Sequence, residues 1–87
     1  MEDDRTVDRP EFTECEWRTI AERLSLSPRE VEIAHGVILN LKESAIAGKT
    51  GMRRSTVKTH LRRMYRKLNV QSRSDLVLRV CQAHSKR

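Results

Sequence analysis

Seven basic side chains and no acidic one lie between Arg53 and Leu68. Charged surface helices ordinarily mix both signs, because opposite charges three or four residues apart stabilise a helix. With the α-helical period, one face of this segment is apolar: Val57, Leu61, Met64, Tyr65 and Leu68. The opposite face, here called the cationic face, carries Ser55, Lys58, Thr59, Arg62 and Arg66. Its hydroxyl and cationic groups can donate hydrogen bonds to phosphate oxygens and to acceptors on base edges.

A cationic face alone is more often a solvated surface than a binding site, so its context decides between the two. A short predicted helix and a turn containing Gly51 precede it, in the helix-turn-helix order that presents a second helix to the DNA major groove. Lysine and arginine can donate to guanine, and a threonine methyl can touch that of thymine. We therefore predict base contacts from Lys58, Thr59 and Arg62. Phosphate contacts are predicted for Ser55, Thr56, His60, Arg63, Arg66 and Lys67.

The charge of the chain is divided between its two ends. The 87 residues carry a net charge of +6, which favours a polyanionic partner. Residues 1–32 hold ten acids and five arginines, a net charge of −5. The remaining residues hold 13 basic side chains and only Glu43 and Asp75 as acids, a net charge of +11. Three aromatic residues are too few to stack a series of bases, so double-stranded DNA is the expected partner.

The sequence contains no recognisable nucleophile and base pair, phosphate loop or cofactor motif, so we expect neither catalysis nor a cofactor. Cys81 and His84 have a metal-like spacing of three, but no second short-range pair completes a site, and no metal is expected.

Two distant cysteines and the lack of an apolar leader predict a cytoplasmic protein. Narrow apolar stripes favour packing between helices over membrane binding.

Helix start and stop signals predict an all-α fold of five helices. Thr13 and Glu16 form a capping box for the first helix, and Ser27, Pro28 and Glu30 mark the start of the second. The predicted helices run to about Leu24, from Pro28 to near Asn40, from Lys42 to Lys49, from Arg53 to Leu68 and from Arg73 to His84. We predict a flexible acidic tail over residues 1–11, an N-terminal helix within 12–25, and a DNA-binding domain over 26–87.

The chain resembles the LuxR-type (GerE-like) helix-turn-helix domain over about Leu26 to Val80. The motifs that carry the resemblance, matched in order without a gap, are Leu26-Ser27-Pro28-Arg29-Glu30, Ile46-Ala47, Thr56-Val57-Lys58-Thr59-His60, Arg66-Lys67-Leu68-Asn69-Val70 and Ser72-Arg73. The resemblance implies a four-helix domain, here with an additional N-terminal helix, that binds DNA as a dimer on an imperfect inverted repeat. It also implies base contacts from Lys58, Thr59 and Arg62, and phosphate contacts from Thr56 and His60.

Several residues depart from the family pattern. Lys42 and Arg53 stand where helix-capping residues are usual, Gly48 lies inside the short third helix, and Thr50 replaces a frequent core leucine. Each missing cap costs about 1 kcal/mol if no substitute is found. Asn40 and Asn69 replace glycines and tolerate the same left-handed backbone.

The fifth helix leaves apolar residues on its outer side. Leu76, Val77 and Val80 form its inward face, and family members pair through this helix, so we predict a homodimer seam containing Leu78, Cys81 and Gln82. Two harmlessly exposed apolar residues are the alternative. The first helix must bury Trp17 and either braces the same domain or extends the dimer.

Two other classes of function use the same fold. One is a protein-interaction module that binds a regulator or RNA polymerase and contacts DNA weakly, because fold alone does not determine function. The other is a fragment of a sigma factor, whose promoter-reading region has a related fold, although the run from Thr56 to His60 favours the LuxR-type family.

Overall fold

The computed structural model describes residues 12–85, which form five α-helices and no strand. They are α1 (Glu14–Leu24), α2 (Pro28–Ile38), α3 (Glu43–Thr50), α4 (Arg54–Leu68) and α5 (Arg73–Ser85). The all-α fold is therefore confirmed. The third helix, predicted to end at Lys49, ends one residue later at Thr50, whose hydroxyl donates to the Ile46 carbonyl at 2.8 Å. The acidic tail predicted for residues 1–11 lies outside the described residues.

The first two helices begin at complete capping boxes. At α1 the Thr13 hydroxyl accepts from the Glu16 N–H at 3.1 Å, and the Thr13 N–H donates to the Glu16 carboxylate at 2.8 Å. Ser27 and Glu30 repeat this arrangement at α2. The two boxes satisfy backbone N–H groups that helix starts leave without a partner, and they set where each helix begins.

Left-handed residues follow α2, α3 and α4 where the sequence predicts them, whereas the left-handed Ser25 that ends α1, with φ 56°, was not predicted. Asn69 has φ 58° after α4, and the Val70 N–H returns to the Tyr65 carbonyl at 2.9 Å. Asn40 has φ 63° and Gly51 has φ 74°, a backbone region that asparagine tolerates and glycine adopts freely. Gly51 supplies the turn between α3 and α4.

An aliphatic core joins all five helices. Its largest fully buried side chains are Ile20, Ile33, Ile46, Val57, Met64, Leu76 and Val80. Every helix contributes at least one of them, so each is held by burial of an apolar stripe on the others.

Helix α1 lies against α5 and also contacts α2. Trp17 is buried at this junction, with its ring 5.4 Å from that of Phe12 and 5.5 Å from that of His35. Two polar contacts join α1 to the carboxyl end of α5: the Arg23 guanidinium donates to the Ala83 carbonyl, and Glu16 lies 2.9 Å from the His84 ring nitrogen. The N-terminal helix therefore packs on the same core and contacts the last turn of α5.

Candidate nucleic-acid interface

Helix α4 presents opposite faces to the core and to solvent. Val57, Leu61, Met64 and Leu68 are buried against α2 and α3, while Tyr65 is half-buried at the edge. Because these side chains are three or four residues apart, the turn of the helix places the cationic face on the far side. The apolar underside thus holds the cationic face outward.

The three residues predicted to read bases are all exposed on α4: Lys58, Thr59 and Arg62. The Thr59 hydroxyl donates to the Ser55 carbonyl at 3.0 Å, which occupies its proton and leaves the methyl group for apolar contact. Ser55, Thr56, Arg63, Arg66 and Lys67 are exposed as well, whereas His60 is half-buried. The structure places the predicted residues along one helix and leaves all of them except His60 exposed.

Most cations of α4 have no ionic partner within the described residues. Of the seven basic side chains between Arg53 and Leu68, only Lys67 forms an ion pair with another residue of the 12–85 segment, at 2.9 Å from the Glu30 carboxylate. Unpaired cations near each other raise the local positive potential and attract anions. The remaining six are therefore available to a polyanion.

The Glu30–Lys67 pair has a structural role that the sequence pattern did not predict. Glu30 is only 8% exposed, and its carboxylate accepts both the Ser27 N–H and the Lys67 ammonium at 2.9 Å. Burial alone would raise the pKa of Glu30, but the Ser27 hydrogen bond and the Lys67 charge outweigh it and hold the pKa below the ordinary value. The pair ties the last turn of α4 to the first turn of α2.

Close packing sets the position of α3, the first helix of the helix-turn-helix. Gly36 of α2 faces Ile46 of α3, and a Cβ atom at Gly36 would lie 2.6 Å from the Ile46 Cγ1 atom. Arg29 of α2 also donates to the Thr50 carbonyl at the end of α3, at 3.2 Å. These contacts seat α3 on α2, and α3 in turn packs against α4.

Neither helix of the helix-turn-helix receives a side-chain cap. Lys42 before α3 and Arg53 before α4 occupy the cap positions without a capping hydrogen bond, unlike Thr13 and Ser27. Backbone N–H groups at helix starts are donors that phosphate oxygens can accept from, and the helix dipole favours a negative charge there. The predicted absence of caps at these two positions is confirmed.

One acid lies beside the predicted base-reading cations. A small groove of about 140 Å³ between α3 and α4 is lined by Glu43, Lys58, Leu61, Arg62 and Tyr65. Burial raises the pKa of Tyr65, and the Glu43 charge adds to this rise while Arg73 opposes it. Glu43 is half-buried and forms no ion pair within residues 12–85.

A larger groove of about 750 Å³ runs between α1 and α5. We call it the α5 groove; it is lined by Arg23, Leu24, Leu78, Arg79, Cys81, Gln82, Ala83 and Ser85. Leu78 is 59% exposed, whereas the other large apolar side chains of the described residues are buried or half-buried. Burial raises the pKa of the Cys81 thiol. All three residues predicted for a dimer seam therefore line one surface.

A comparison with protein families matches residues 24–80 to the model described as bacterial regulatory proteins, luxR family. The chain belongs to this family. The match spans α2 to α5 up to Val80 and includes the whole of α3 and α4, so the helix-turn-helix is the shared part of this luxR-family protein. The family consists of DNA-binding transcription regulators, and this chain has their fold. No curated protein and no solved structure matches the chain.

Two further findings describe this luxR-family protein. None of its helices within residues 12–85 is both long and apolar enough to cross a bilayer. No group of three or more histidine, cysteine or acidic side chains in that segment is arranged to hold a metal ion. Sequence reasoning did not predict that Glu30 pairs with Lys67 or that Glu43 lines a groove with Lys58 and Arg62. The rarity of acids after residue 32 was the one signal that could have drawn attention to Glu43.

Proposed function

We propose that this luxR-family protein is a sequence-specific transcription regulator that binds double-stranded DNA as a homodimer on an inverted repeat. In this proposal α4 enters the major groove, Lys58, Thr59 and Arg62 contact bases, and the flanking residues contact phosphates. The observation that carries the proposal is the exposed set of seven cations from Arg53 to Lys67, six of which have no ion pair among the described residues.

The shape and the hydrogen-bond donors of α4 suit the DNA major groove. The major groove is about 12 Å wide and accepts one α-helix, and its guanine acceptors match lysine and arginine donors. The N-termini of α3 and α4, which lack side-chain caps, add backbone donors suited to phosphate. Residues predicted to contact phosphate are Ser55, Thr56, His60, Arg63, Arg66 and Lys67.

The test is selection of bound sequences from a random duplex library at two salt concentrations, followed by affinity measurement on the selected duplex. Replacing Arg62 or Lys58 with alanine should cost about 1–3 kcal/mol on that duplex and relax the choice of base at one position. Arg66→Ala, at a predicted phosphate contact whose cation has no ion pair among the described residues, should weaken all duplexes alike. Arg18→Ala, an exposed arginine of α1, is the matched control and should leave base preference unchanged.

Equal enrichment of every sequence would refute base reading. An absence of duplex binding at low salt would instead favour the alternative function, a protein-interaction module that binds a regulator or RNA polymerase. Salt dependence separates the two, because counterion release makes DNA affinity fall steeply with ionic strength.

The α5 groove supports the homodimer. Leu78, Cys81 and Gln82 line it, and burial of Leu78 against a second copy would remove an exposed apolar side chain from water. A two-fold dimer matches the symmetry of an inverted repeat. Sedimentation of Leu78→Glu tests this, because a charge in the seam should shift the mass to that of a monomer, whereas an unchanged dimer would place the interface elsewhere.

A further inference from the structure

The small groove between α3 and α4 contains an acid whose position the proposed DNA contacts do not explain. Glu43 lies in the first turn of α3 and lines this groove together with Lys58 and Arg62. It is one of only two acids after residue 32, and the other, Asp75, lies in the first turn of α5. A carboxylate at this place opposes the attraction of phosphate by the surrounding cations.

We propose that Glu43 is a specificity-determining residue, whose carboxylate competes with DNA phosphates for the cationic groups of Lys58 and Arg62. This inference rests on the proposed function, since it concerns how the same surface chooses among duplexes. Glu43 forms no ion pair with either cation in the structure, so both remain able to reach DNA.

The competition affects the two modes of DNA binding unequally. In non-specific complexes cations bind phosphates almost exclusively, and this electrostatic contact supplies essentially all of the affinity. A nearby carboxylate weakens that contact because it repels the phosphate and partly neutralises the cation. On a preferred site the same cations donate to guanine O6 and N7, which are neutral acceptors, so the carboxylate costs less there.

The start of α3 strengthens the effect. Lys42 provides no side-chain cap, so the N–H groups and the helix dipole at this end attract an anion. Glu43 places its own negative charge in that first turn. The start of α3 therefore attracts a DNA phosphate less strongly than it would without Glu43. Contacts with base edges then contribute a larger share of the binding free energy.

The experiment compares Glu43→Gln with Glu22→Gln on two duplexes of equal length, the sequence selected by the wild-type protein and an unrelated one. Glu22 is an exposed acid of α1, so its replacement changes the net charge equally on a helix outside the helix-turn-helix. Removing the charge at Glu43 should raise affinity for the unrelated duplex about threefold at low salt. It should also steepen the slope of log affinity against log salt by up to about 0.9, one more neutralised phosphate.

The selected duplex should gain less, so the ratio of the two affinities falls in Glu43→Gln and stays at the wild-type value in Glu22→Gln. An unchanged ratio in Glu43→Gln, or an equal fall in both variants, would overturn the role of Glu43 while DNA binding itself stands. If the wild-type protein bound neither duplex, the proposed function would fail and this inference with it.

Discussion

The contact between Gly36 and Ile46 predicts that an alanine substitution destabilises the protein at Gly36, whereas the same substitution at Gly48 stabilises it. Replacing Gly36 with alanine places a Cβ atom 2.6 Å from Ile46 Cγ1 and 3.1 Å from its Cδ1 atom. Ile46 is 1% exposed, so its side chain is held within the core. Overpacking of this kind costs about 1–3 kcal/mol, and the better helix propensity of alanine returns up to about 1 kcal/mol. The net expectation is a loss of about 1–2 kcal/mol.

Gly48 of α3 is the matched control. An alanine Cβ there meets no atom within 4 Å, so Gly48→Ala should stabilise the protein by about 0.5–1 kcal/mol. Thermal and urea unfolding followed by far-ultraviolet circular dichroism would measure both. For a domain of this size, each kcal/mol corresponds to about 4–8 °C in Tm. If both variants shifted Tm in the same direction, the packing of α3 on α2 described above would be wrong.

Three further perturbations probe other parts of the molecule. Glu30→Gln should destabilise the protein at neutral pH because the Lys67 ammonium loses its anionic partner. The folded pKa of Glu30 lies below the ordinary 4.5, so the stabilisation by its carboxylate is present above that value and is lost as pH falls through the folded pKa. Unfolding midpoints measured from pH 7 to pH 3 should therefore fall less in the variant than in the wild-type protein. Trp17→Ala should cost about 3–5 kcal/mol by leaving a cavity beside Phe12 and His35, and a calorimetric scan with no fall in Tm would contradict the anchoring role of the ring. The exposed Cys15 should react with a thiol reagent at pH 8 well before Cys81, whose raised pKa and partial burial limit the thiolate, and equal rates by mass spectrometry would count against this packing of α5.

Local signals predicted the helices well because their causes are local. The capping boxes at Thr13 and Ser27 and the left-handed asparagines depend on residues three or four apart, and the structure contains each of them. The buried underside of α4 follows from the same period. The cationic face is then exposed, because a helix at the edge of a small core buries only the face that contacts the core.

Contacts between residues that are far apart in the chain could not be predicted from the sequence pattern. The Glu30 carboxylate could be assigned to a cap from its spacing, but its pairing with Lys67 depends on how α2 and α4 cross. The same holds for Gly36, whose close approach to Ile46 depends on the seating of α3, and for Glu43 beside the α4 cations. Each of these pairings is set by the packing of helices, which the sequence period does not encode.

The cationic face also has an energetic consequence for the fold. Helix α4 lacks the opposite charges that ordinarily stabilise a surface helix, and its start has no side-chain cap, so its own residues favour the helix weakly. Its stability comes from the buried underside and from the Glu30–Lys67 pair at its end. Because the unpaired cations repel one another in the folded state, an anion bound along this face relieves that repulsion and stabilises the fold, by an amount that grows with the logarithm of its affinity. The surface best suited to a polyanion is therefore also the one whose helix gains most from binding it.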